Sequence, residues 1–151
     1  MSSSSIHQIQ QEIIEEFELF EDWTDRYEYI IDLGKKLPPL AEQYKTEENL
    51  IKGCLSKVWL VPRFEDRLLY FDADSDAVIV KGLASLLVRV LSGHTPEEIA
   101  SADLYFIERI GMTSHLAQTR SNGLLSMVKQ MKFYGLAYQA RQHSDNQEIP
   151  S

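Results

Sequence analysis

The chain has 151 residues and a mass of 17.4 kDa, with 44% hydrophobic and 10% aromatic residues, enough for one globular domain with its own core. A net charge of −8 and a pI near 5.0 argue against a nucleic-acid groove, which needs a clustered basic face, and against binding to an anionic membrane. The single cysteine excludes an internal disulfide framework, and no paired-cysteine or clustered-histidine pattern suggests a metal site or a bound cofactor.

The polar stretch Met1–Ser5 has no basic, apolar or cleavage region behind it, so no secretory signal is expected. Ile6, Ile9, Ile13, Ile14 and Phe17 recur at three- and four-residue spacing and predict an amphipathic helix behind a frayed serine tail. A second helix is expected from Asp22, a good N-cap, with Asp25 in its first turn. Trp23, Tyr27, Ile30 and Ile31 form its apolar set, and Gly34 reads as its stop. Pro38 and Pro39 then force an extended connection.

The period changes in the middle of the chain. Val58–Val61 and Leu68–Phe71 are runs of strand formers around the charged turn Glu65-Asp66-Arg67, which predicts an antiparallel hairpin with Pro62 at an edge or bulge. A short third strand can come from the segment before Cys54. From Ser75 or Asp76, either of which can cap, Leu83, Leu86, Leu87, Val90 and Leu91 describe a helix that is apolar nearly all round and ends at Gly93. Its apolar run, near residues 83–91, is too short to span a bilayer and carries Arg89.

Thr95-Pro96-Glu97-Glu98 is a helix start, with a cap, a proline at the first helical position and a glutamate placed for a capping box. A short helix near 103–110 should break at Gly111, and a last long helix is expected over 122–141, with Leu124, Val128, Met131 and Gly135 on one side. The expected fold is α+β: one compact domain over residues 1–151, its core at about 6–141, with two to three antiparallel strands packed among several helices and loose ends at 1–5 and 142–151.

Chemistry concentrates at Cys54, which follows Gly53 at a loop-to-strand junction with Lys52 and Lys57 nearby. A cationic neighbourhood favours thiolate, the attacking form of cysteine. Free cysteine is also among the most buried residue types, so the residues alone leave packing and chemistry equally open. Arg120 can stabilise a sulfur anion or pair with a carboxylate at a helix start. Asp74 and Asp76 suit helix caps better than catalytic acids. His115 can move protons, although a lone histidine is more often structural.

The stretch Gly53-Cys54-Leu55-Ser56-Lys57-Val58-Trp59 resembles the glycine-cysteine-x-serine-x-valine-tryptophan signature of the SufE/CsdE family of sulfur acceptors. Three further blocks resemble that family, in its order and over roughly residues 17–135. They are Asp22–Tyr27 with Leu33–Pro38, Asp74–Ala77 with Ile79–Leu83, and His115-Leu116 with Arg120–Gly123. Leu55 and Lys57 depart from the pattern, where the family carries glutamine; both flank the cysteine and bear on partner choice.

The resemblance implies a non-enzymatic sulfur carrier. It would take persulfide sulfur from a pyridoxal-phosphate-dependent cysteine desulfurase onto Cys54, stimulate that enzyme and pass the sulfur to an iron–sulfur scaffold. Arg120 would assist the anion, and Gly53, Leu55 and Lys57 would meet the partner. Neither nucleic acid nor membrane is expected, the compartment is expected to be the reducing cytoplasm, and monomer and homodimer both stay open. Two other readings stand beside it: a cysteine-nucleophile hydrolase or transferase using Cys54 with His115, and a non-covalent adaptor in cluster assembly.

Overall fold

A computed structural model describes residues 4–148, with side chains described through residue 142. Helix α1 (Ile6–Phe17) starts in a capping box: the Ser5 hydroxyl accepts from the Gln8 N–H, and the Gln8 side chain accepts from the Ser5 N–H. Ser4 is tied down as well, its carbonyl lying 2.8 Å from His94 Nε2. The expected loose N-terminus therefore does not extend to Ser4 and Ser5, while residues 1–3 lie outside the described residues.

Helix α2 (Trp23–Lys36) does not stop at Gly34, and Asp22 supplies no side-chain cap hydrogen bond. Gly34 is buried against Gly82, where an added Cβ would fall 2.6 Å from the Gly82 nitrogen. The glycine permits a close helix crossing. Termination falls instead to Leu37, whose extended conformation is the one favoured before Pro38.

Strands β1 (Val58–Glu65) and β2 (Leu68–Ser75) form one antiparallel pair, with Val58 opposite Ser75 and Glu65 opposite Leu68. Both are longer than the sequence runs suggest, and the turn shrinks to Asp66-Arg67, each with positive φ, the type I′ geometry that follows strand twist. Pro62 stays within β1 opposite Phe71, beyond the reach of any further strand. The expected third strand amounts to one bridge between Leu50 and Trp59, so the described sheet has two strands. Val58, Leu60, Leu69, Phe71 and Ala73 line its buried face.

Helix α3 (Val78–Leu91) is the centre of the molecule, buried on most sides and packed against α1, α2, β2 and the last helix. Neither Ser75 nor Asp76 caps it; Ala77 takes that position, because both polar side chains are engaged elsewhere. Beside its outer end, Arg89 forks onto the Glu16 carboxylate, which also accepts from the Tyr29 hydroxyl at 2.6 Å. The Arg89 hydrogen bond leads in holding Glu16 below its usual range, whereas burial and Glu16 push Tyr29 up to about 12.

Helix α4 (Pro96–Ser101) begins with the expected Thr95–Glu98 capping box. Helix α5 (Phe106–Arg109) is shorter than expected, and Gly111, at φ +92°, separates it from an additional turn, α6 (Met112–His115). The final helix, α7 (Gln118–Glu148), begins four residues early and continues into the expected loose tail as far as Glu148, with residues 149–151 outside the described part. Gly135 lets α7 approach α4, where an added Cβ would meet the Pro96 carbonyl at 2.9 Å.

Candidate functional site

The cysteine loop is held at both ends. Upstream, the Ile51 N–H donates to the Val58 carbonyl at 2.8 Å, and Gly53 then bends the chain at φ +92°. Downstream, the Lys57 N–H donates to Asp76 Oδ1 at 3.0 Å, while the Lys57 carbonyl accepts from the Ser75 hydroxyl at 2.8 Å and the Asp76 N–H at 3.2 Å. Asp76 is thus a loop clamp in place of the helix cap or acid that its sequence position suggests. The neighbouring Asp74 is buried, accepts from the Leu40 and Ser75 N–H groups and pairs with Lys81 and Lys45. Burial alone would raise its pKa, but the two N–H donors and Lys81 outweigh that and hold it low.

This clamp seats Cys54 against α7. Its thiol donates to the Gly123 carbonyl at 3.6 Å, and an added Cβ at Gly123 would lie 3.5 Å from Sγ. Gly53 faces Ser126, whose hydroxyl would meet an added Cβ at 2.7 Å. The half-buried thiol opens into a cleft of about 190 Å³, bounded by Leu55 and Ser56 from the loop, by Val80 and Leu83 of α3, and by Arg120, Gly123, Leu124 and Met127 of α7. Burial pushes the Cys54 thiol pKa up. The expected activation by Lys52 and Lys57 does not show in the resting site: both side chains are exposed, and burial disfavours the thiolate.

Arg120 lines the same cleft from the first turn of α7, rather than from a preceding loop. Its guanidinium lies 5.7 Å from the centre of the Tyr27 ring and donates to the Tyr27 hydroxyl at 2.7 Å. The partner is a phenol, where the sequence suggested a sulfur anion or a carboxylate. His115 stacks on Trp23, with ring centroids 5.1 Å apart, and does not line the Cys54 cleft. Cys54 and His115 therefore do not form the hydrogen-bonded pair that a cysteine hydrolase requires. Leu55 stands out at 84% exposure on the cleft rim, with Gly53 and Lys57 also exposed.

Gly123, Tyr27 and Ser126 belong to this site without having been singled out for it. Gly123 stood in the Arg-Ser-Asn-Gly block and Tyr27 in the N-terminal block, whereas Ser126 carried no signal. Among the described residues, no group of three or more His, Cys, Asp and Glu side chains is placed to hold a metal ion, and no helix is long and apolar enough to cross a membrane.

Comparison with known proteins adds an independent line. Residues 11–134 match the family model described as SufE, the Fe–S metabolism associated domain. An uncharacterised SufE-like protein of Rhizobium etli is 45% identical over 126 residues, covering 80% of this chain and 85% of the relative. The SufE-like protein 1 of Arabidopsis thaliana, named as chloroplastic/mitochondrial, is 39% identical over 137 residues, which cover 90% of this chain and 37% of the plant protein. The solution structure of a hypothetical protein from Thermus thermophilus superimposes with a TM-score of 0.71 at 18% identity, covering 87% of this chain and 96% of that one, a likeness of fold.

Proposed function

This chain belongs to the SufE family, the Fe–S metabolism associated domain, and on that premise we propose that it is a sulfur acceptor working through Cys54. The observation that carries the proposal is the seat of the only cysteine: half-buried, against a glycine carbonyl and in a cleft with room beside the sulfur. A carrier needs one thiol that is quiet at rest and able to hold a second sulfur atom. Intramolecular disulfide exchange would need two cysteines.

The donor in this reading is the persulfide of a pyridoxal-phosphate-dependent cysteine desulfurase. Cys54, having given its proton to solvent or a partner base, attacks the terminal sulfur of that persulfide. One S–S bond forms at Cys54 and one breaks at the donor, the donor cysteine leaving as thiolate, so no external oxidant or reductant is consumed. The terminal sulfur then passes on to iron–sulfur cluster assembly. Because burial opposes the thiolate, attack requires the loop to leave the cleft or a cation to approach the sulfur; docking of the desulfurase supplies the occasion. Taking the sulfur also frees the donor cysteine for its next cycle, which is how the protein stimulates turnover while acting as a carrier and not as an enzyme.

Gly53, Leu55 and Lys57 are the proposed partner contacts, and Arg120 the proposed anion partner. The reading places the protein in a reducing compartment such as the cytoplasm, where a free thiol persists. Incubation with a cysteine desulfurase and cysteine should add the mass of one reducible sulfur atom to Cys54, and Cys54→Ser should abolish it with the fold retained. Absence of the adduct with several desulfurases refutes the reading.

A further inference from the structure

The outer face of α7 gathers three exposed large apolar side chains on one helix. Its inner side buries Leu124, Met127 and Met131, while Leu125, Phe133 and Leu136 on the opposite side are 62%, 58% and 57% exposed. Between them stand Lys129 and Lys132, neither of which enters an ion pair among the described residues. The steps 125–129–132–136 are four, three and four residues, the spacing of a coiled-coil seam. Residues 118–142 hold four cations (Arg120, Lys129, Lys132, Arg141) and no carboxylate, within a chain of net charge −8.

We propose that this face, from Leu125 to Leu136, is a docking strip for an amphipathic helix of another protein, one whose seam carries glutamate or aspartate between two apolar ends. Two apolar ends around paired lysines call for a partner that is apolar at the two ends of its seam and anionic at the middle. The strip spans twelve residues, roughly 16 Å or three helical turns, which suits one helix. A second copy of this chain fits poorly, since two-fold pairing of the strip would set the lysines of one copy against those of the other. An anionic bilayer fits poorly too, because it would repel the acidic remainder of the molecule. The strip borders the cysteine loop, for Ser126 touches Gly53 and Lys129 shares a groove with Lys52. A helix docked there is placed to sense or restrain that loop.

The test is site-specific photo-crosslinking of the full chain carrying Phe133→p-benzoylphenylalanine in its own cells, followed by sequencing of the crosslinked peptide. An acidic amphipathic segment is expected, and its capture should fall at least tenfold when Lys129→Glu and Lys132→Glu are added. A synthetic acidic heptad peptide of four turns should shift amide resonances of residues 125–136, more weakly at high salt, while its lysine counterpart should not. Wild-type melting temperature in the charge-reversed protein separates loss of docking from loss of fold. A crosslink to this chain itself, to lipid, or to a basic or non-helical segment overturns the proposal. Failure to crosslink, or peptide shifts outside 125–136, overturns it as well.

Discussion

Replacing Gly53 with alanine tests the loop that carries the thiol. Gly53 sits at φ +92°, where a side chain is strained, and its added Cβ would lie 2.7 Å from the Ser126 hydroxyl. The backbone component costs about 1–2 kcal/mol. At roughly 2–4 °C per kcal/mol for a chain of this size, that is a melting-temperature loss of about 2–8 °C. The steric component is separable, because Ser126→Ala removes the hydroxyl and leaves a Cβ at 3.6 Å, an ordinary contact.

Gly53→Ala should therefore lower the melting temperature and, by lifting the loop off α7, speed alkylation of Cys54 at neutral pH. Adding Ser126→Ala should recover the steric part alone and slow alkylation toward the wild-type rate. The assay is a double-mutant cycle read by thermal unfolding and by pseudo-first-order iodoacetamide kinetics. Additive effects, with no coupling between residues 53 and 126, would refute the claim that their contact seats the thiol. Unchanged alkylation in Gly53→Ala would refute the link between this turn and thiol burial.

Gly82→Ala should cost on the order of 1–3 kcal/mol or more by forcing a methyl group onto the Ile30 carbonyl, and a melting curve will show it. Gly123→Ala meets only ordinary contacts and should stabilise the helix by up to about 1 kcal/mol, yet slow sulfur loading by filling space beside Sγ, read by persulfide mass against time. If Arg120 serves the anion, Arg120→Ala slows Cys54 alkylation at pH 7, about tenfold per unit the thiol pKa gains, while Tyr27→Phe frees the guanidinium and speeds it. A melting loss with unchanged alkylation in Arg120→Ala assigns the residue to structure. Folded-state carboxyls of Glu16 and Asp74 are held low, so their stabilisation is present above the ordinary values of 4.5 and 3.8 and is lost as pH falls through the folded ones. Tyr29 is raised from 10.0 to about 12, so its contribution is full below 10 and disappears as pH rises toward 12. Glu16→Gln should flatten both limbs of the melting-temperature profile.

Local rules were legible wherever a short stretch of chain settles its own conformation. The Thr95-Pro96-Glu97-Glu98 start, the hairpin around Asp66-Arg67, the buried run of α3 and the break at Gly111 all follow from caps, periodicity and turn chemistry within a few residues. The Cys54 loop was visible for the same reason, as a glycine-cysteine step before a strand. Sequence misleads where one residue type has two uses. Gly34 looks like a helix stop, yet serves as the flat surface that lets α2 cross α3 at Gly82, a partner 48 positions away along the chain. Ser75 and Asp76 look like caps, yet their hydrogen-bonding capacity goes to Lys57 across the sheet end.

The character of the thiol belongs to the second category. By itself the sequence determined that a lone cysteine stands in a glycine-bent loop, in a chain of family-like blocks, and that lysines flank it. Only the tertiary structure decided that the lysines face solvent, that the sulfur rests on Gly123, that Arg120 is held by Tyr27 and that His115 stacks elsewhere. Charge, propensity and capping act over a few residues and are encoded in neighbours along the chain. Desolvation and side-chain pairing depend on what long-range packing of α2, α3 and α7 brings alongside, and at Cys54 that packing pushes the thiol pKa up by desolvation.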